Sequence, residues 1–203
     1  MSVSVVERTQ AGRSRETRRR LMEAVVGCLV ERGWAGTTTS LVAERAGVSR
    51  GAMLHHFASR GELVAAAVQH VGRQAEEELL ARGEVVRSVA PERRTRAVVE
   101  LIADFFISPV FAAALELWVA ARTDEQLRAQ VIPLQAQVGR ETHRLAVALL
   151  GADESRPGVR EAVQATLDLA RGLALADQLV DDRRRRRRVV AQWAVQLERQ
   201  LAA

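Results

Sequence analysis

A single cysteine in 203 residues, Cys28, excludes an internal disulfide and any cysteine-based metal cluster, and it fits a reducing cytoplasm. Lysine, asparagine and tyrosine are absent, so all 30 basic residues are arginine. GC-rich coding DNA imposes such a bias, and arginine's aptitude for bidentate contact with phosphate or guanine therefore cannot be inferred from its abundance. No uninterrupted apolar run approaches the ~18 residues of a membrane span, and Met1 to Arg20 contains no apolar signal core, which predicts neither secretion nor membrane contact. The chain also lacks a glycine-rich phosphate loop, an HExxH pair and a spaced Ser/His/Asp set. No catalytic role, metal or cofactor is expected.

What is present is 48% hydrophobic residues, enough for real cores, and a formal net charge of +5. The position of that charge is informative. Residues 1–60 hold 10 Arg against 5 Glu, whereas residues 61–203 hold 20 Arg against 20 acids. The chain reads as a basic head on a neutral body, and a basic head suits a polyanionic partner.

Apolar residues recur at helical spacing and strict alternation is absent, predicting an all-α chain of about nine helices. Leu21, Val25, Cys28 and Leu29 share one face of a first helix, with Ser14 as its expected N-cap and Gly33 as the residue that ends it. Cys28 on that face reads as core. Two short helices follow, and then a long one opened by Ser59 and Glu62 as a capping box, whose stripe is Val64, Val68, Val71, Ala75 and Leu79. Pro91 and Pro109 suit the first turns of two further helices. Thr123 with Gln126 predicts another capping box, Pro133 a kink beyond it, and Pro157 or Gly158 the start of the penultimate helix. The last helix is expected over roughly 185–202, with the run Arg183–Arg188 in the loop or exposed first turn before it, offset by Asp181 and Asp182.

Between Thr37 and Leu63, a short helix with Leu41, Val42 and Ala46 inward is broken by Gly47, and Ser49 caps a second. This is a helix-turn-helix, whose second helix fits the DNA major groove while the first crosses the backbone. On that geometry Arg50, Gly51, Ala52 and His55 are candidates to face the groove. Arg50 can reach guanine, and Gly51 or Ala52 permits close approach. His55 and His56 are adjacent, point about 100° apart and have no third histidine at i+4, so they do not form a metal site. His56 reads as structural.

Arg32-Gly33-Trp34, Thr37-Thr38, Ala46-Gly47-Val48-Ser49-Arg50-Gly51 and His56-Phe57-x-x-Arg60-x-x-Leu63 closely resemble the DNA-binding domain of the TetR (tetracycline-repressor) family. The likeness runs contiguously from Thr17 to Leu63. Leu54 and His55 depart from it, since many members carry an aromatic and a tyrosine there. The resemblance implies a flexible basic arm over 1–13, a helix-turn-helix domain over 14–60, and a ligand-binding and dimerisation domain over 61–203. It implies DNA contact by Arg15, Arg18, Arg19, Thr38, Ser49, Arg50, Gly51, Ala52, His55 and Arg60, with Thr38 and Arg60 on phosphates. The protein so implied is a cytoplasmic, nucleoid-associated homodimer that represses from a palindromic operator.

For the body the resemblance implies an apolar pocket for an unknown small-molecule effector, and Phe105, Phe106, Phe111, Trp118, Arg122 and His143 are candidates to line it, with Asp104 and Glu116 as further polar groups. Ordinary core packing is the competing role for each. For the dimer the last two helices offer Val163, Leu167, Ala170, Ala174, Val190, Trp193 and Leu197 at helical spacing, unless they are buried within the chain. An alternative for the body is a protein partner in place of a small ligand.

Overall fold

The computed structural model describes residues 3–202, and side chains from residue 12 onward except at positions 68, 71, 74–76, 78, 87, 91 and 92. Among these residues it is all-helical: α1 (Val3–Gly36), α2 (Thr39–Ala46), α3 (Arg50–His56), α4 (Arg60–Arg87), α5 (Pro91–Phe106), α6 (Pro109–Ala121), α7 (Glu125–Leu150), α8 (Val159–Asp177) and α9 (Arg183–Ala202). No single described helix is long and apolar enough to cross a membrane.

The helices fall into two compact units, which group residues differently from the segments 14–60 and 61–203. The head unit is Met1–Arg73 with Pro109–Leu134, and the body unit is Gln74–Ser108 with Gln135–Ala203. The long helices α4 and α7 each contribute to both. In α7 the division falls one residue after Pro133, through which the helix runs.

In the head unit, α1 packs against α2 and α6. Leu21, Val25, Cys28 and Leu29, the stripe read from the spacing, are fully buried, and Val64 joins them in the core. Burial raises the Cys28 thiol pKa, with Arg45 opposing, so the thiol stays protonated as a small apolar side chain. Val68, Val71 and Ala75, expected to continue the stripe along α4, lie outside the described side chains.

In the body unit, α5 packs on α8 and α9, and α8 on α9. Val99, Ala103, Ala162, Leu173, Val190, Ala194 and Leu197 form its apolar cluster.

Helix ends follow local chemistry, with three shifts from expectation. Helix α1 is already under way at Val3, so Ser14 lies inside it. No proline interrupts residues 3–13, and Gly12 costs an interior turn only about 1 kcal/mol. Helix α7 is capped by Asp124, whose Oδ1 accepts from the Leu127 amide at 2.9 Å. A carboxylate suits a helix N-terminus better than a hydroxyl, and Thr123 instead closes α6 through its amide on the Ala120 carbonyl at 3.3 Å. Helix α9 opens at Arg183, placing the arginine run against the positive end of the helix dipole. Acids offset it: Arg183 pairs with Asp181 at 3.1 Å, Arg185 with Asp182 at 2.6 Å, and Arg186 with the half-buried Asp177 at 2.7 Å.

Candidate nucleic-acid interface

Two hydroxyl caps and one glycine set the helix-turn-helix. Thr38 Oγ1 accepts from the Leu41 amide at 3.2 Å to open α2, and Ser49 Oγ accepts from the Ala52 amide at 3.1 Å to open α3. Between them Gly47 adopts φ 63° and ψ 40°, a left-handed conformation that L side chains rarely take. The Val48 amide then donates back to the Ala43 carbonyl at 3.0 Å, and Arg20 Nη2 donates to the Gly47 carbonyl at 3.4 Å. A β-carbon on Gly47 would stand 2.5 Å from Arg20 Nη2. Gly47→Ala should therefore cost about 1–2 kcal/mol, read as a lower urea midpoint with an unchanged m-value. A midpoint equal to the parent's would mean that the turn has another conformation in solution.

Helix α3 is anchored on one side only. Met53 is fully buried, and Phe57, one residue past the helix, closes it with its amide on the Met53 carbonyl at 3.0 Å. Arg50, Gly51, Leu54 and His55 are exposed and Ala52 is half-buried. A β-carbon on Gly51 would meet nothing nearer than Ser49 Oγ at 4.0 Å, so its outer side is open. Arg50, Gly51 and His55 thus form an outward face with Ala52 at its edge, and Leu54 joins them. His56 lies 6.4 Å from the Phe57 ring, and burial lowers its pKa, with His55 and Arg18 adding to the shift, so it sits beside the core as a neutral ring.

The arginines of α1 have partners that periodicity does not disclose. Arg19 pairs with Glu16 and Glu23, each at 2.5 Å, which raises its pKa and cancels charge along that face. Arg18 lies over the Phe57 ring, 4.6 Å from its centroid. Arg15 is exposed. Arg45 of α2 makes a double hydrogen bond to Glu31 of α1, at 2.6 and 2.7 Å.

Arg60, expected on phosphate, is turned inward instead. Its guanidinium stacks 3.7 Å from the centroid of the Trp34 ring and donates to the Trp34 carbonyl. Burial lowers its pKa, with Asp124 opposing. Trp34 follows Gly33, whose φ of 63° breaks the helical run where the sequence placed the end of the first helix. The Trp34 amide donates to Glu116 Oε2 of α6 at 3.1 Å, so Glu116 secures the kink. The Gly33-Trp34 pair was visible in the sequence as part of a family pattern, but its clamps, Arg60 and Glu116, lie 26 and 82 residues away along the chain.

The remaining site candidates divide. Phe111, Trp118 and Arg122 belong to the head unit, with the Phe111 and Trp118 rings edge to face at 5.9 Å. Phe105, Phe106 and His143 belong to the body unit, where Arg171 lies over Phe106 at 5.2 Å and His143 Nε2 bonds Glu154 at 2.7 Å. Of the residues offered for a dimer interface, Val163, Leu167, Ala170, Ala174, Val190 and Leu197 are already buried within the single chain, where α5 packs on both α8 and α9. Trp193 alone is half-exposed. It borders an open groove of about 350 Å³ with Leu169, Val189 and Gln192.

Residues 21–67 match the family model described as bacterial regulatory proteins, tetR family. The HTH-type transcriptional regulator CymR of Pseudomonas putida is 34% identical over 192 residues, covering 92% of either chain. The crystal structure of a transcriptional regulator from Rhodococcus sp. Rha1 superposes with a TM-score of 0.71 at 22% identity, over 92% of this chain and 98% of that one. The transcriptional regulator FadR from Bacillus subtilis, in complex with stearoyl-CoA, gives 0.65 at 15% identity, over 88% and 96% of the two chains.

Proposed function

The chain belongs to the tetR family of bacterial regulatory proteins, transcriptional regulators and not enzymes, and from that membership we propose that it works as a homodimeric repressor of a palindromic operator, released by a small molecule. The observation that carries this reading is the one-sided anchoring of α3: Met53 inward, Arg50, Gly51 and His55 outward. A seven-residue helix so presented spans only a few base pairs, and a second copy about 34–36 Å away supplies the matching half-site. Thr38 and Ser49, exposed at the starts of α2 and α3, suit phosphate contacts, as do Arg15 and Arg18 along α1. Arg60 is assigned a different role, holding the start of α4 to Trp34.

The second copy suits the outer face of α8 and α9. There Leu169, Val189 and Trp193 border the open groove, and exposed Gly172 has room for a neighbouring backbone. An effector fits this architecture by preferring one arrangement of the two heads, since a ligand shifts an equilibrium only by its differential affinity for the two states. The long helix α4, shared by both units, is the natural carrier of that preference.

Selection of bound sequences from random DNA tests the reading. An inverted repeat is expected, whereas a lone asymmetric half-site would remove the dimer. Within the selected operator, Arg50→Ala should cost about 1–3 kcal/mol at one base pair of each half-site and leave affinity for scrambled DNA unchanged. Equal discrimination by parent and variant would remove Arg50 from the groove.

A further inference from the structure

The head unit contains a cavity of about 210 Å³ walled by Trp34, Arg60, Gly61, Asp124, Leu127 and Gln130. It lies among the end of α1, the first turn of α4 and the first turns of α7, separate from α3 and from the body aromatics. A cavity of about 150 Å³ takes a benzene ring, so this one has room for roughly ten non-hydrogen atoms or fewer.

Two buried polar atoms here have no partner within the protein: Arg60 Nε, a donor, and Gln130 Oε1, an acceptor. Buried polar groups are nearly always satisfied, by protein or by water, and unpaired ones of opposite kind on one cavity suit a ligand that both accepts and donates. The walls also carry one charge of each sign. Arg60 has committed Nη2 to the Trp34 carbonyl and its face to the indole, while its buried Nε–H has no partner within the protein. Asp124 has committed Oδ1 to the Leu127 amide, which leaves its second carboxylate oxygen. Leu127 adds an apolar patch. A simple anion would leave Gln130 unpaired, and a simple cation would leave Arg60 unpaired. A neutral amide would satisfy both orphans but neither charge.

We propose that this cavity binds a small free α-amino acid as its zwitterion, the carboxylate accepting from Arg60 Nε–H, the ammonium donating to Gln130 Oε1 and Asp124, and a short aliphatic side chain against Leu127. The ligand thereby engages the side chain that fastens α4 to the end of α1, just after the helix-turn-helix. The inference stands on the cavity alone and does not depend on the repressor reading.

Calorimetric titration of the full-length protein, in a buffer free of amines and zwitterions, with glycine, L-alanine, L-valine and L-leucine tests it, with acetate, methylammonium and acetamide as partial ligands. At least one amino acid should bind one to one and at least about tenfold tighter than any partial ligand, since each of these lacks a charge-assisted hydrogen bond. Two variants address the walls: Gly61→Ala, whose new β-carbon would stand 2.6 Å from Gln130 Oε1, and Gln130→Met, which keeps length and removes the acceptor. Each should weaken the amino acid by at least about tenfold with far-UV circular dichroism and melting as in the parent. Two variants keep the comparison readable should one misfold. Absence of binding by all four amino acids up to about 10 mM overturns the proposal, as does acetate or acetamide binding as tightly, or parental affinity in both variants.

Discussion

Phe57→Ala is expected to destabilise the head unit by about 3–5 kcal/mol and to abolish operator binding with it. Phe57 is 1% exposed, one of the largest side chains buried in the molecule, and the residue does three things at once. It fills the core beneath α3 together with Met53, it carries the Arg18 guanidinium 4.6 Å from its centroid, and its backbone amide ends α3 on the Met53 carbonyl. Truncation leaves the last of these in place and removes the other two. Helix α3 has only seven residues, too few to persist without a packed face, so losing the ring frees the recognition surface itself. Domains are stable by about 5–15 kcal/mol, and the expected loss is a large part of that margin. Urea denaturation followed by circular dichroism reads the stability, and a salt-controlled DNA titration reads the binding. Leu54→Ala, three residues earlier and on α3 itself but 47% exposed, is the contrast: its melt should match the parent's within about 0.5 kcal/mol. If the two variants melt alike, the packing described for α3 is wrong.

What could be read in advance, and what could not, divides along a physical line. Caps and turns are local chemistry. Thr38, Gly47 and Ser49 each act within four residues of themselves, and Pro91 and Pro109 fix their own φ, so these features were legible from spacing alone. The cap of α7 was missed by one residue because Thr123 and Asp124 are both good caps, and the charge on Asp124 breaks the tie. Arg60 shows a different limit. A family pattern gives its identity and its place at the start of α4, but not the direction of its side chain, which is set by a Trp34 ring on another helix. The body aromatics show a third. Phe106 and Phe111 are five residues apart, yet the division between units falls between Ser108 and Pro109 and separates them. Helical periodicity reveals that a face is apolar, without revealing what covers it. For α8 the cover on Val163, Leu167, Ala170 and Ala174 is the chain's own body.

That last point makes Trp193 the residue on which the proposed homodimer is most sharply tested. It is the half-exposed member of the seven interface candidates on α8 and α9. Its Nε1 donates to Thr166 Oγ1 at 2.9 Å, which fixes the indole at the rim of the groove rather than letting it swing into solvent. Partly buried tryptophans held by one hydrogen bond are the usual anchors of interfaces, where truncation costs about 2 kcal/mol or more. A twofold interface uses each residue twice, so Trp193→Ala should cost about 4 kcal/mol per dimer and raise the dimer dissociation constant roughly a thousandfold. Sedimentation velocity at micromolar protein should then show the parent as a dimer and the variant as a folded monomer with undiminished helical circular dichroism. Operator affinity should fall while low-salt, non-specific DNA binding persists, because each head would keep the phosphate contacts proposed for it. Leu197→Ala separates this effect from simple unfolding: fully buried beside Val190 and Ala194, it should lose about 2–5 kcal/mol of chain stability. A Trp193→Ala protein that sediments as the parent does at every concentration would move the interface off the groove between α8 and α9 and leave Trp193 a packing residue of the body alone.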